Sequence, residues 1–343
     1  MKILSVEPLA GTGDRNVLAE VLEEMGEVTR VAVDPAAPLA EALRLGLAEP
    51  ADLALFWRTE AVAAGLLAIG LRRAVIVPSM APRAGTYWQQ FAGAARFVSF
   101  SRRQHEALQA HECRSAYFDH WPQPAGAVPA RDFAPEAWRA VFVDAEPGRG
   151  ATHGPRAGMP TRGIVAQQCR HLAIPDLTIP NLAIADPAAL PAPPRTAASE
   201  GGNEGEGESP AEIEAEAHFV FASPAFGLAP GIDHATRRAM GRGQIVVAPD
   251  VAPANETIGH LASGILFDPK RPTDLPALTA QTAERLSQGA RARAEIGHRM
   301  WLEDRPRLIS VLKDDGQRWV GSDPSAHLGN AIQQALHRRA GGA

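Results

Sequence analysis

The chain has 343 residues, enough for two domains of ordinary size that each bury their own core. A net charge of −5 at pH 7 argues against nucleic acid as a partner, and the 45% share of hydrophobic residues is that of a globular protein. The longest apolar stretch, 61–71, is far shorter than the ~20 residues of a membrane span, and Met1-Lys2 leads into a short strand rather than a signal peptide. We therefore expect a soluble, cytoplasmic protein.

Strand-like and helix-like segments alternate through the first 120 residues, as in a doubly wound α/β unit. The strand-like segments are almost continuously apolar, which suits a parallel sheet covered by helices on both faces. The predicted helices are 16–25 and 39–47, and the predicted strands are 3–6, 28–33, 52–56, 74–78 and 97–100.

A second α/β region is predicted to start near Trp138, with 140–143 as its first strand. The stretch 187–210 is rich in proline, alanine, glycine and glutamate, and cannot bury enough apolar surface to offset the entropy of ordering it. We therefore predict that it is a disordered insert in this region. Two helical patterns, 275–286 and 290–312, follow.

The only two cysteines are Cys113 and Cys169, so the sequence predicts no disulfide framework and a reducing compartment. Each cysteine lies two residues from a histidine, His111 or His171. Neither spacing is that of a standard zinc pair, and we expect no metal site at either position.

The most informative segment is 223–269. Its pattern is a glycine-bearing loop, an amphipathic helix, the apolar strand Ile245-Val246-Val247, the polar turn Asn255-Glu256-Thr257, and the apolar run 264–267 before Asp268-Pro269.

This order resembles the donor-binding half of retaining glycosyltransferases of the GT-B fold, in particular family 4. The family consensus runs E-G-x-G-x-x-x-L-E-A-M-A-x-G-x-P-V-V-A, followed by an N/P-E-x-I turn and G-x-L-F-x-P. Segments 1–26 and 95–124 are similar to the beginning and end of the acceptor domain, and 291–312 to the closing helices. The last of those helices crosses back onto the acceptor domain in the family.

The resemblance implies an α/β protein with two Rossmann-like domains that face each other. We expect an acceptor-side domain over 1–125, a donor-side domain over 126–297 that carries the disordered insert, and a crossing helix and tail over 298–343.

In such a fold the start of the helix in 223–269 would bind the diphosphate of a nucleotide-sugar through its unpaired N–H groups and partial positive charge. Alignment on 239–243 places the two acids of the family's E-x7-E pair at Pro230 and Arg238, so both carboxylates are absent. The loss of two charged hydrogen bonds would cost about 3–6 kcal/mol of binding. Asp233 and Glu256 are the nearby acids that could compensate.

The predicted donor-binding residues lie in the loop after the strand 140–143, at the helix start and in the polar turn. They are Arg149, Gly231, Ile232, Asp233, Arg238, Asn255 and Glu256. The family's diphosphate-neutralising lysine has no counterpart, since no lysine occurs between Lys2 and Lys270, although Arg156 or Arg162 could substitute. The alternative is that these arginines only solubilise a loop, and that the Asn255-Glu256 turn only caps the next helix.

The predicted acceptor-side and cleft residues lie at strand ends and at the domain junction, where clefts open in α/β proteins. They are Gly11, Gly13, Asp14, Arg58 and His120. Two alternatives stay open at this point: Asp14 caps a tight strand-to-helix turn, and His120 is an exposed histidine of the linker.

Two hypotheses of different classes follow. In the first, the protein is a hexosyltransferase-type enzyme that moves a sugar from a nucleotide-sugar to a glycan or other acceptor, with no metal or other cofactor, because no acidic metal triad is visible. In the second, it is a catalytically inactive relative that binds a protein partner in glycan assembly, as the missing acids would favour. A sugar-nucleotide epimerase of the same fold is a third hypothesis, for which the sequence shows no acid/base pair.

Overall fold

The computed structural model describes residues 1–9, 16–46, 51–69, 71, 74–79, 85–91, 93, 95–126, 131–144, 162–178, 216–223 and 234–313. Several predictions fall outside these ranges. They concern the insert 187–210, Arg149, Arg156, Pro230, Gly231, Ile232, Asp233, Gly11, Gly13 and Asp14.

The N-terminal half forms a six-stranded parallel sheet, here called the N-terminal sheet, with the strand order β2-β1-β3-β4-β5-β6. This is the alternating α/β unit that the apolar pattern predicts. Its strands are β1 (Lys2–Pro8), β2 (Glu27–Val33), β3 (Leu53–Trp57), β4 (Ala74–Val77), β5 (Ala95–Ser99) and β6 (Arg114–Tyr117). Its helices are α1 (Ala19–Met25), α2 (Pro38–Gly46), α3 (Glu60–Ala68), α4 (Gly85–Gln89) and α5 (Arg102–Ala110).

The C-terminal half forms a five-stranded parallel sheet, here called the C-terminal sheet, with the order β11-β10-β9-β7-β8. Its strands are β7 (Arg139–Asp144), β8 (Asp176–Thr178), β9 (Phe219–Ser223), β10 (Ile245–Pro249) and β11 (Gly264–Phe267). The helices described between these strands are α6 (Arg162–His171), α7 (His234–Gly241) and the single turn α8 (Ala254–Thr257). Two parallel sheets flanked by helices confirm the predicted α/β class.

A single helix, α9 (Ala280–Lys313), joins the two halves. The predicted break between 286 and 290 is wrong, because Gly289 lies inside the helix, where a Cβ atom would be 1.9 Å from the carbonyl oxygen of Ala262. Glycine at this position therefore allows close packing rather than ending the helix. The boundaries predicted at 125 and 297 stay predictions, and α9 runs through the second of them.

Each half has its own buried apolar clusters, and α9 contributes to both. Leu286, Ala290 and Ala294 pack against the C-terminal sheet, whereas Trp301 and Leu308 pack against the N-terminal sheet beside α1. This is the crossing that the resemblance implies. In the described part of the chain, no helix combines the length and the apolar character needed to cross a membrane.

Candidate functional site

The carboxyl ends of the two sheets face each other. The evidence is a direct contact between Ser101, which lies just after β5, and Glu256, in the helical turn that follows β10. In α/β proteins, ligands bind outside the carboxyl ends of the strands, because the loops there and the helix N-termini present polar groups. The candidate site therefore lies along this junction between the two sheets.

Glu256 reaches across the junction to the first turn of α5. One carboxylate oxygen, Oε1, accepts hydrogen bonds from Ser101 Oγ at 2.9 Å and from the backbone N–H of Arg103 at 3.0 Å. The other oxygen, Oε2, accepts from the backbone N–H of Arg102 at 2.7 Å. The predicted contact of Glu256 with a donor stays a prediction, and in this structure its carboxylate caps a helix of the opposite half.

Its neighbour Asn255 is exposed, and its amide donates to Asp250 Oδ1 at 3.1 Å. This bond closes the turn between β10 and α8. The predicted contact of Asn255 with a donor is not tested by it.

Tyr117, at the end of β6, lies near Glu256 and Arg102. Burial is the main reason why the pKa of its phenol is raised, and the nearby charge of Asp119 adds to the shift. The guanidinium carbon of Arg102 lies 5.9 Å from the centre of the Tyr117 ring. The phenol therefore stays protonated beside the Glu256 contact.

Arg237 is a buried cation on α7, with only 2% of its side chain exposed. Its guanidinium is 2.9 Å from Asp119 Oδ1, donates to the carbonyl oxygen of His120, and donates to Thr257 Oγ1 at 3.3 Å. The chain between β6 and β7 is here called the linker, because it connects the two halves. The Arg237 side chain thus joins α7 both to the linker and to the end of α8. The position and orientation of α7 are fixed by these contacts.

Trp121 of the same linker is fully buried between two cations. The guanidinium carbons of Arg237 and Arg293 lie 4.7 Å and 4.6 Å from its ring centre. Arg293 also binds Asp119 Oδ2 at 3.2 Å. Burial tends to raise the pKa of Asp119, but Arg237, the Trp121 side chain and Arg293 together outweigh it and hold that pKa below its ordinary value. The Asp119 carboxylate is therefore ionised at neutral pH.

His120 is buried, with 8% of its surface exposed, so the alternative of an exposed linker histidine is wrong. Its ring packs edge-on against Trp301 of α9, with the ring centres 4.6 Å apart, and also faces Phe100. Because α9 crosses the linker, Trp301 of α9 packs against His120 and helps to hold the linker in place. The predicted role of His120 in positioning a hydroxyl stays a prediction.

Arg238, the residue aligned with the family's second acid, is exposed on α7. The buried arginine is its neighbour Arg237, which the sequence argument missed. In the structure, Thr236, Arg237 and Met240 lie on one buried face of α7. The three-residue spacing of Arg237 from Met240 was visible in the sequence, but it does not by itself mark an arginine as buried.

On the N-terminal side, Arg58 directly follows β3 and has the left-handed conformation, with φ 58°. This conformation costs a residue with a side chain about 1–3 kcal/mol and is found at sites where the chain must turn sharply. The N–H of Arg58 donates to the carbonyl oxygen of Val77 at 2.7 Å, and the residue is buried. Arg58 thus lies at the carboxyl end of the sheet, as the sequence predicts for a cleft residue, and its binding role stays a prediction.

A second buried polar group follows at once. Glu60, 2% exposed, begins α3 and accepts hydrogen bonds from Ser79 Oγ at 2.5 Å and from the Ser79 N–H at 3.3 Å. The carbonyl oxygen of Ser79 in turn accepts from Gln104 Nε2 of α5 at 2.7 Å. These residues were not singled out from the sequence, although a carboxylate directly after a predicted strand is a recognisable signal.

A similar arrangement lies at the end of β1. The Glu7 carboxylate accepts from Ser5 Oγ at 2.8 Å and from Asn16 Nδ2 at 2.9 Å. Asn16 Oδ1 accepts from the N–H of Leu18 at 2.9 Å, which fixes the chain just before α1. Glu7, near the end of β1, and Glu60, just after β3, thus place carboxylates at the carboxyl ends of two neighbouring strands. These strand ends lie at the edge of the N-terminal sheet that faces the junction.

The described residues contain no group of three or more histidine, cysteine or acidic side chains that could hold a metal. Both cysteines are buried free thiols. Cys113 Sγ lies 3.3 Å from the carbonyl oxygen of Trp88, and burial raises the pKa of Cys169 to about 12. A thiol that stays protonated at neutral pH is a poor metal ligand.

No protein-family model matches the chain, and no curated protein is significantly similar to it in sequence. Solved structures do match. HepE from Anabaena in complex with UDP is 15% identical with a TM-score of 0.50, and its complex with UDP and glucose is 14% identical with the same score. Each covers 90% of this chain and 100% of HepE.

A putative UDP-N-acetylglucosamine 2-epimerase from Listeria monocytogenes is 13% identical with a TM-score of 0.51, and covers 92% of this chain and 97% of the other. At such identities, the similarity establishes the fold and not the activity. The chain has the GT-B fold of two Rossmann-like domains, as the sequence predicts.

Proposed function

We propose that the protein is a GT-B glycosyltransferase, which moves a sugar from a nucleotide-sugar donor to a glycan or another hydroxyl-bearing acceptor. The observation that carries this proposal is the match of nearly the whole chain to HepE structures that hold UDP, or UDP and glucose. In our proposal, donor and acceptor bind at the junction between the two sheets. The polar residues described there come from both halves, which suits a site that holds two substrates.

In this proposal the donor diphosphate binds near the start of α7. The N-terminus of α7 offers free N–H groups and partial positive charge to the diphosphate. Arg237 does not bind the donor in this proposal, but holds α7 in place through its contacts with the linker and α8. The acceptor oxygen bonds to the anomeric carbon on the face from which the nucleoside diphosphate leaves, and the acceptor proton passes to the leaving phosphate oxygen. The negative charge that develops on the leaving nucleoside diphosphate is stabilised by the N-terminus of α7 and by arginine side chains near it.

The proposal needs no resident metal or other cofactor, since the nucleotide-sugar is a substrate. A cytoplasmic location fits the two buried free thiols, Cys113 and Cys169. On the acceptor side, Arg58 and the Glu60–Ser79 pair are buried polar groups that follow β3 and β4, at the carboxyl end of the N-terminal sheet. They belong to the wall against which an acceptor would lie.

The experiment is calorimetric titration of the full chain with UDP, GDP and their common sugar conjugates. We expect micromolar binding of one nucleotide, accompanied by thermal stabilisation. Release of that nucleoside diphosphate from its sugar conjugate in the presence of candidate acceptors then tests turnover. Absence of heat and of stabilisation up to millimolar nucleotide would overturn the proposal.

Two other functions each have an observation behind them. Both acids of the donor motif are replaced, by Pro230 and Arg238, which favours an inactive binding protein in glycan assembly. The fold match to a putative epimerase favours inversion of a sugar carbon. Nucleotide-sugar incubated in deuterated water separates them: deuterium on the sugar without transfer identifies an epimerase, and nucleotide binding with neither reaction identifies the binding protein.

A further inference from the structure

Glu256 and α5 meet across the junction in an arrangement that normally occurs within one helix. At most helix N-termini, the free N–H groups are satisfied by a side chain close in sequence. Here Ser101 is the local cap, since its Oγ accepts from the N–H of Gln104 at 3.3 Å. The N–H groups of Arg102 and Arg103 are instead taken by Glu256, more than 150 positions later in the chain.

We propose that Glu256 is a positioning residue: its carboxylate caps α5 from the opposite domain and thereby sets the separation of the two domains across the cleft. Among the described residues, the linker and α9 also join the two domains. Three hydrogen bonds to one carboxylate, two of them from backbone groups that cannot swing away, give the contact a defined length and direction.

The effect of this contact extends into the N-terminal domain. Ser101 Oγ both donates to Glu256 and accepts from the Gln104 N–H, and the side-chain amide of Gln104 binds the carbonyl oxygen of Ser79. Ser79 in turn donates to the buried Glu60. A continuous series of hydrogen bonds therefore runs from the polar turn after β10 to the start of α3. If Glu256 moves away, the first turn of α5 loses its support at the cleft wall.

The inference deepens the proposed function, because the distance between the cleft walls determines whether donor and acceptor meet. Its test is nevertheless made on the protein without nucleotide, so failure of one does not imply failure of the other. Hydrogen–deuterium exchange of the peptide over 100–105 is compared in the wild type, Glu256→Ala, Glu256→Gln and Glu303→Ala. Glu303 is an exposed acid on α9 and serves as the control for loss of one negative charge.

We expect Glu256→Ala to speed exchange at the Arg102 and Arg103 amides by at least about fivefold, the equivalent of about 1 kcal/mol. Small-angle X-ray scattering of the same variant should give a larger radius of gyration. The exchange rate of Glu256→Gln should lie between those of the wild type and Glu256→Ala, because the side-chain carbonyl oxygen of glutamine still accepts a hydrogen bond. Glu303→Ala should exchange like the wild type. Unchanged exchange and an unchanged radius in a folded Glu256→Ala variant would overturn the inference.

Ser101→Ala provides an independent variant, because it removes one donor from the contact on the other domain. Once a nucleotide ligand is known, its affinity is measured in Ser101→Ala, Glu256→Ala and the double variant. A positioning role predicts that both single variants lose affinity and that the two losses do not add, since both changes weaken the same contact. Affinity that falls in Glu256→Ala and is unchanged in Ser101→Ala would instead make Glu256 a direct donor contact and overturn the inference.

Discussion

Arg237 and Asp119 form an ion pair of 2.9 Å that joins a helix of the C-terminal sheet to the linker between the two domains. The guanidinium is almost completely buried, whereas the carboxylate is partly exposed and also serves Arg293. Removal of a partner from such a pair leaves a buried charge without compensation, which costs more than the pair itself contributes. The stability of the junction therefore depends on Asp119.

Asp119→Ala tests this dependence. We expect the free energy of unfolding to fall by about 2–4 kcal/mol, because two guanidinium groups lose their shared carboxylate. Urea denaturation followed by circular dichroism measures the change. The matched control is Glu216→Ala, which breaks a pair with Arg139 in which both side chains are 53% exposed, and should cost less than about 1 kcal/mol. Equal effects of the two variants would contradict the importance of burial at the junction.

The same carboxylate predicts a dependence of stability on pH. The pKa of Asp119 is lower in the folded protein than its ordinary value of 3.8, so the folded state favours the ionised form. Its contribution is complete well above pH 3.8 and is lost as the pH falls through the lower folded pKa. We expect the difference in stability between the wild type and Asp119→Asn to be constant near neutral pH and to shrink in acid. A difference that grows on acidification would contradict the assignment.

Gly297 is predicted to be intolerant of even a methyl group. A Cβ atom there would lie 2.5 Å from the ring of Trp121, which is fully buried between two arginines and cannot yield. Overpacking of this kind costs about 1–3 kcal/mol, against which the better helix propensity of alanine recovers up to about 1 kcal/mol. We therefore expect Gly297→Ala to lower the unfolding temperature. The control is Gly126→Ala, in the linker that also contains Trp121, where a Cβ atom would have no neighbour within 4 Å. This variant should leave the unfolding temperature unchanged.

Arg238→Glu restores the second acid of the aligned donor motif at an exposed position of α7. If the alignment is correct, the new carboxylate can accept hydrogen bonds from the ribose hydroxyls, and nucleotide affinity should rise by about tenfold. Calorimetry measures the change. Arg285→Glu, an exposed position on α9 with the same change of charge, should not raise affinity. If both variants bind the nucleotide more weakly, the change in net charge alone lowers the affinity, and position 238 is not part of the donor site.

The two sheets could be predicted from the sequence because parallel strands read as short apolar runs, as in 3–6 and 140–143. The start of α1 was placed too early, since Asn16 uses its side chain to hold the turn before the helix. The continuity of α9 was missed because Gly289 looks like a helix breaker until its close neighbour, the Ala262 carbonyl, is known.

The junction was the least predictable part. Arg237 binds the carbonyl oxygen of a residue 117 positions earlier, and Glu256 caps a helix from the other domain. Neither partner is near in sequence, and both residues belong to types that are usually exposed. From the sequence alone, Arg238 was therefore as good a candidate as Arg237, and Glu256 was assigned to a ligand rather than to a helix.

The C-terminal part of α9 has a consequence for the order in which the protein is made. Trp301, Leu308 and Leu312 complete an apolar cluster on the N-terminal sheet, yet they are translated long after the strands of that sheet. During synthesis, the N-terminal domain therefore leaves the ribosome with one apolar face uncovered, and it keeps that face until α9 arrives. A nascent chain stalled before Trp301 should be bound by chaperones through that face, whereas a chain that extends beyond Leu312 should release them.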